Sequence, residues 1–187
     1  MRKLVSIFAC VGLALVAPLV FALAGEIYLS DSPFQPAGLK YINGGYFDGI
    51  RVDNHQSIRT MSGVQAYTWD APMKIGSQPY SKGLMFHLVG SETVKATWSL
   101  NKRYRSLSAI IGLDNVQDVP GVFPHVVVNF IGDGKKIGTA TIDDQYGKPA
   151  PTASVNVPLT GARSLIVEVI LTRAQGTNID IVNPELQ

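Results

Sequence analysis

After residue 25 the apolar residues of this chain recur at every second position, and no stretch sustains the i, i+3, i+4, i+7 spacing of an amphipathic helix over three turns. In TVKATWSL, Val94, Ala96, Trp98 and Leu100 point one way while Thr93, Lys95, Thr97 and Ser99 point the other, the pattern of a half-buried strand. PHVVVNFIG sets Val126, Val128 and Phe130 against His125, Val127, Asn129 and Ile131, and SVNVPL offers Val155, Val157 and Leu159. SLIVEVILT has Leu165, Val167, Val169 and Leu171 on one face and Ile166 and Ile170 on the other, which predicts a central strand covered on both sides. The clearest turn is Gly132-Asp133-Gly134, because Asp-Gly readily takes the positive φ angles of a tight hairpin. It predicts a strand ending near Ile131 and another starting near Lys135. Many short strands, punctuated by 18 Gly and 11 Pro, predict one all-β domain built as an antiparallel β-sandwich. The turn-rich stretch from Asp31 to Met61 predicts long loops with one or two short strands.

Residues 1–24 do not fit that pattern. Arg2 and Lys3 precede an apolar run from Leu4 to Val20, and Ala22-Leu23-Ala24 has the small-x-small form of a cleavage site. This reads as a signal peptide, with a mature domain over 25–187. The rival is an uncleaved membrane anchor, since the run is near the lower length limit of a spanning helix; Pro18 and the cleavage site favour removal. Cys10 lies too early in the run to be a lipoprotein cysteine. The expected location is therefore secreted, periplasmic or in the cell envelope, with membrane contact only if the segment stays uncleaved. Cleavage removes the one cysteine, leaving neither a disulfide framework nor a thiolate metal site. It also brings the 16 basic residues down level with the 14 acidic ones. Such a balanced chain lacks the basic footprint of a nucleic-acid binder.

Order and spacing say more than periodicity. Tyr28-Leu29-Ser30-Asp31, then Gly76, Tyr80-Ser81-Lys82-Gly83-Leu84, His87 and Ser91 lead into the Val94–Leu100 strand. Tyr104-Arg105-Ser106-Leu107, Ile111-Gly112-Leu113-Asp114, Gly121, the Val126–Phe130 strand and Asp133-Gly134-Lys135 follow. Thr160-Gly161-Ala162, Ser164-Leu165-Ile166-Val167 and Asn183-Pro184-Glu185-Leu186 close the series. In this order the chain resembles the NPCBM/NEW2 domain family, which is akin to carbohydrate-binding module family 51 and found beside glycoside hydrolases of family 98. The resemblance implies a jelly-roll, galactose-binding-like sandwich that recognises a neutral, galactose-type glycan without catalysis. The family's closing strand usually carries an Asp-Trp pair where this chain has Asp180-Ile181, and its early aromatic corresponds to Phe34.

Sugar recognition needs an aromatic face for the ring and polar side chains for its hydroxyls. On a sandwich these belong on loops at one end or edge. Trp69 ends an alternating run beside Asp70 and Pro72 and is the stacking candidate, with Tyr46 as the alternative; the competing reading for Trp69 is a core or rim filler, and for Tyr46 and Asp48 simple exposure in a Gly-Gly turn region. His87, Asp48 and Asp114 are the candidates for fixing hydroxyls. For His87 the alternative is a strand histidine holding a neighbouring loop by one hydrogen bond; for Asp114 it is turn capping at a strand end. Trp98, mid-strand on the apolar face, reads as core, and His125 as an edge-strand residue without function.

Two other classes stay in view. A hydrolase needs two acids about 5–10 Å apart across a cleft, and nothing selects a pair among Asp143-Asp144, Asp48 with Asp53, or Asp180 with Glu185. No catalytic residue is assigned. A cell-envelope structural or protein-interaction sandwich that has lost its sugar site is the second reading, and Ile181 favours it. No cofactor is implied beyond a structural calcium ion, for which the loops around Asp31, Asp48 and Asp53 or the end around Asp180 and Glu185 hold oxygens. No metal-ligand set is singled out.

Overall fold

The computed structural model describes residues 26–39, 41–42, 46–47, 49–53, 55–59, 72–88, 93–114, 123–149, 151–173 and 176–187; at 41–42, 46–47 and 55–59 it describes the backbone alone. Among the described residues sixteen strands run in chain order. They are β1 (Ile27–Tyr28), β2 (Phe34–Ala37), β3 (Tyr41–Ile42), β4 (Tyr46–Phe47), β5 (Gly49–Val52), β6 (His55–Arg59), β7 (Met73–Ile75) and β8 (Gln78–Tyr80). Then come β9 (Gly83–Leu88), β10 (Thr93–Ser99), β11 (Ser106–Leu113), β12 (His125–Gly132), β13 (Lys135–Asp143), β14 (Thr152–Pro158), β15 (Ser164–Arg173) and β16 (Thr177–Leu186). The expected antiparallel sandwich forms. One sheet is ordered β14-β11-β16-β9-β5-β6, with β1 added to the far end of β16, and the other β13-β12-β15-β10-β2. The short hairpins β3-β4 and β7-β8 stand apart.

The alternation dictates the packing. Val94, Ala96 and Trp98, Val126, Val128 and Phe130, and Leu165, Val167 and Val169 turn inward from one sheet. They meet Leu84, Phe86 and Leu88, Leu107 and Ile111, and Ile179 and Ile181 of the other in a single dry core. Trp98 is buried there against Phe34 of β2, its cross-strand partner, with ring centroids 5.1 Å apart. Both rings are therefore core.

The β12–β13 turn is the two-residue hairpin that the sequence predicts. Asp133 (φ 48°) and Gly134 (φ 82°) are both left-handed, between the paired Gly132 and Lys135. The Asp133 carboxylate accepts the backbone N–H groups of Arg163 and Ser164 and the Ser164 hydroxyl, pinning the β14–β15 loop; these bonds hold its pKa below the usual carboxylate range.

Three expectations need correction. The described residues between Asp31 and Met61 carry five short strands, not one or two, and β2, β5 and β6 belong to the main sheets. β15 is central in its sheet, yet Ile166 and Ile170 are only half-buried on an outer face shared with Val127 and Ile131. His125 begins β12, which lies between β13 and β15 and is not an edge.

Candidate functional site

Strand direction brings several predicted residues to one end of the sandwich. β9 ends there, β11 ends there, and β5 and β16 begin there. Register pairs His87 with Asn178 on one side and Gly49 on the other, and the Asp114 N–H donates to the Asn178 carbonyl at 3.1 Å. Asp114, Asn178 and His87 thus stand in a row across three adjacent strands of the seven-stranded sheet, on its outer face. Asp114 and Asn178 are buried, and His87 is half-buried. His87 Nδ1 lies 2.5 Å from Asn178 Oδ1. An amide oxygen only accepts, so Nδ1 is the donor of this bond, and in that tautomer of the imidazole Nε2 is the acceptor.

One step along the strands, Gly112, Asp180, Met85 and Arg51 form the next row. Asp180 is completely buried, and neither carboxylate oxygen has a hydrogen-bond partner among the described residues. Burial, with Asp114 adding repulsion, drives its pKa well above the usual range; Arg51 pulls it back. The Lys74 N–H also pulls it back, while falling short of hydrogen-bond geometry.

This burial on an outer face has a local cause. The β7–β8 hairpin lies over the sheet as a roof, packing Met73 and Ile75 on Met85 and Val182, with Tyr80 and Ile110 at the margin. It sits close because the floor has no side chain at two points. A Cβ on Gly112 would stand 2.6 Å from Ile75 Cγ2, and one on Gly83 would stand 3.2 Å from Met73 Cε. Ile75 also bridges to Asp114, so the polar row lies at the roof's open margin.

The five-stranded sheet contributes a second group at the same end. Arg173, closing β15, donates from Nη2 to Asp143 Oδ1 at 2.6 Å and to the Asp144 carbonyl at 2.8 Å, and from Nε to the Phe123 carbonyl at 2.8 Å. Beside it His125 Nδ1 lies 2.5 Å from the Thr172 hydroxyl. The loop after β13 carries Tyr146, whose side chain is 86% exposed and meets Phe123 edge to face at 5.7 Å.

Of the predicted site residues, His87 and Asp114 come together as described. Asp48 and Trp69 lie outside the described residues, as do residues 1–24, and of Tyr46 the backbone alone is described, in β4. Sequence reasoning missed Asn178 and Arg51, which only cross-strand register brings to His87 and Asp180. It also missed Tyr146, although Gln145-Tyr146-Gly147-Lys148 is a turn tetrad with a ring at its tip. Among the described residues no group of three His, Cys, Asp or Glu side chains could hold a metal ion. Asp31 and Asp53, considered for calcium, both accept the Lys82 ammonium, at 2.5 and 3.0 Å.

The NPCBM/NEW2 domain model matches residues 25–183, nearly the whole chain. The chain belongs to the NPCBM/NEW2 domain family. A Renibacterium salmoninarum protein named "Putative endo-alpha-N-acetylgalactosaminidase" is 29% identical to this NPCBM domain over 117 residues, 63% of this chain but 7% of that protein's length. Among solved structures, CBM51 from Clostridium perfringens GH95 in complex with methyl-galactose superposes with a TM-score of 0.57 at 16% identity, covering 87% of this chain and 99% of that one. The tandem CBM51 modules of a family 98 glycoside hydrolase from Streptococcus pneumoniae superpose at 0.60 with 12% identity, covering 99% and 52%. The NPCBM departure at Ile181 falls in the core: the side chain is fully buried, paired between Leu84 and Ile111. It packs between the sheets, on the opposite face of β16 from Asn178 and Asp180.

Proposed function

We propose that this NPCBM domain is an exported, non-catalytic module that binds a neutral, galactose-type glycan. In this reading a loop aromatic, Trp69 or Tyr46, stacks on the ring, while His87, Asp114 and Asp48 take its hydroxyls. The observation that carries it is the row of Asp114, Asn178 and His87 at the strand ends, a fixed array of acceptors and donors beside Gly49, where β5 begins. Family membership supports a carbohydrate ligand, and the methyl-galactose complex of a structural neighbour is consistent with the galactose type proposed here. Reversible recognition by stacking and paired hydrogen bonds needs no nucleophile or acid–base pair.

The test is a glycan array followed by calorimetric titration with galactose, with and without calcium. Saturable binding that Trp69→Ala abolishes while the thermal melt barely moves supports the reading. A blank array, with a partner protein recovered from envelope extracts, supports the protein-interaction alternative, and turnover of chromogenic glycosides supports a hydrolase.

A further inference from the structure

The turn after β13 is built more firmly than a solvent-facing loop requires. The Lys148 N–H donates to the Gln145 carbonyl at 3.1 Å, closing a four-residue turn. Gly147 has φ +72° at its third position while Tyr146, at the second, keeps a negative φ, which makes it a type II turn with Tyr146 displayed at the corner. The Asp144 N–H donates to the Pro124 carbonyl, Gln145 Nε2 to Asp143 Oδ2, and Lys148 Nζ to Gln145 Oε1. Arg173 ties the base of the turn to β15 through its bonds to Asp143 and the Asp144 carbonyl. The ring so held is open to water, while Trp98, Phe86 and Phe130 are buried in the core. A tyrosine fixed in this way offers a large contact area with little conformational entropy left to lose. Among the described residues the charged groups around it are two acids, Asp143 and Asp144, and two bases, Lys148 and Arg173, which balance and give no excess charge to attract an anion. An apolar ring rimmed by paired donors and acceptors suits a neutral polyol.

We propose that Tyr146 is a second sugar-contacting platform, so that the domain holds an extended neutral glycan with one residue at the His87 row and a further one on this ring. The inference rests on the glycan-binding reading above. In the sheet order β14-β11-β16-β9, His87 stands three strands from β14, which the Tyr146 turn leads into. Three strand spacings put the start of β14 roughly 15 Å from His87, and Tyr146, packed on Phe123 ahead of β12, lies off that line toward the other sheet, too far for one hexose to touch both.

The experiment titrates the full chain calorimetrically with galactose and with linear galacto-oligosaccharides of two to four residues, comparing wild type with Tyr146→Ala and Tyr146→Phe. The expected result is an affinity about tenfold higher for the longest ligand than for galactose. Tyr146→Ala should erase that gain and leave galactose binding unchanged, and Tyr146→Phe should keep it. A gain that survives Tyr146→Ala, or no gain with length in the wild type, overturns the platform while leaving the galactose site standing. Long ligands that bind through Tyr146 when galactose does not bind would support the platform and overturn the site at His87. No binding to any member of the series overturns both.

Discussion

His87 of β9 and Asn178 of β16 face each other at paired positions, and their side chains meet at 2.5 Å where both strands reach one end of the sandwich. The bond holds the imidazole plane and fixes which nitrogen accepts. If the outward nitrogen takes a sugar hydroxyl, His87→Ala should weaken galactose binding by about threefold to tenfold, the worth of one neutral hydrogen bond. Asn178→Ala should have a smaller effect in the same direction, by releasing the ring. Equal affinities for wild type and His87→Ala in calorimetric titration would assign the histidine to the framework.

Asp180 should make the domain more stable in mild acid. Its folded-state pKa is raised by burial, so the native state binds a proton more readily than the unfolded chain. Stability from this group is fully present below the unfolded-chain value of 3.8 and declines as pH rises from there through the raised folded value. Asp180→Asn should flatten that slope and raise the melting temperature at neutral pH, by about 2–8 °C for each kcal/mol recovered. Melting curves from pH 4 to 8 on both proteins check it. A wild type that gains no stability on acidification relative to the variant would contradict it.

Gly112 sets how closely the hairpin roof sits. Gly112→Ala places a methyl 2.6 Å from Ile75 Cγ2, so the roof must lift or the side chain move, at a cost of about 1–3 kcal/mol. Ile75→Ala clears the space. The double variant should therefore lose less stability in urea than the two single losses added together, and simple additivity would show that the roof does not rest on Gly112.

Lys82 separates a buried carboxylate from an exposed one. Asp53 is buried, accepts the Gly83 N–H at 2.9 Å and the Lys82 ammonium, and sits at φ 52°. Asp31 meets the same ammonium from a more exposed position. Asp53→Ala should cost about 1–3 kcal/mol because the Gly83 N–H loses its acceptor, whereas Asp31→Ala should cost under about 1 kcal/mol. Asp53→Asn, which keeps an acceptor and tolerates the left-handed backbone, should fall between them. Chemical denaturation of the three variants gives the order.

The sandwich was legible because inward and outward residues alternate through β10, β12 and β15, and Asp133-Gly134 marks its own hairpin. The outer face of β15 misled because Ile166 and Ile170 shelter beside Val127 and Ile131 rather than under a third layer. The first third hid its strands because they are two to five residues long and find partners far along the chain, β2 on β10 and β5 on β9. Within the site, His87 and Asp114 could be singled out by residue type at a strand end. Asn178 and Arg51 could not, since only cross-strand register gives them neighbours. Tyr146 was readable in principle: a ring beside glycine in a tight turn has nowhere to be buried.

The pairing of Ile27 with Leu186 has an architectural consequence. Gln187 continues the ladder, exchanging backbone hydrogen bonds with Ser106 and accepting one from Arg105, so the first and last described strands lie side by side where β16 finishes. His87, Asp114 and Tyr146 crown the opposite pole. Any membrane, wall polymer or neighbouring module fastened at either terminus would hold the domain like a torch by its handle, with the proposed glycan-binding surface projecting away from the point of attachment.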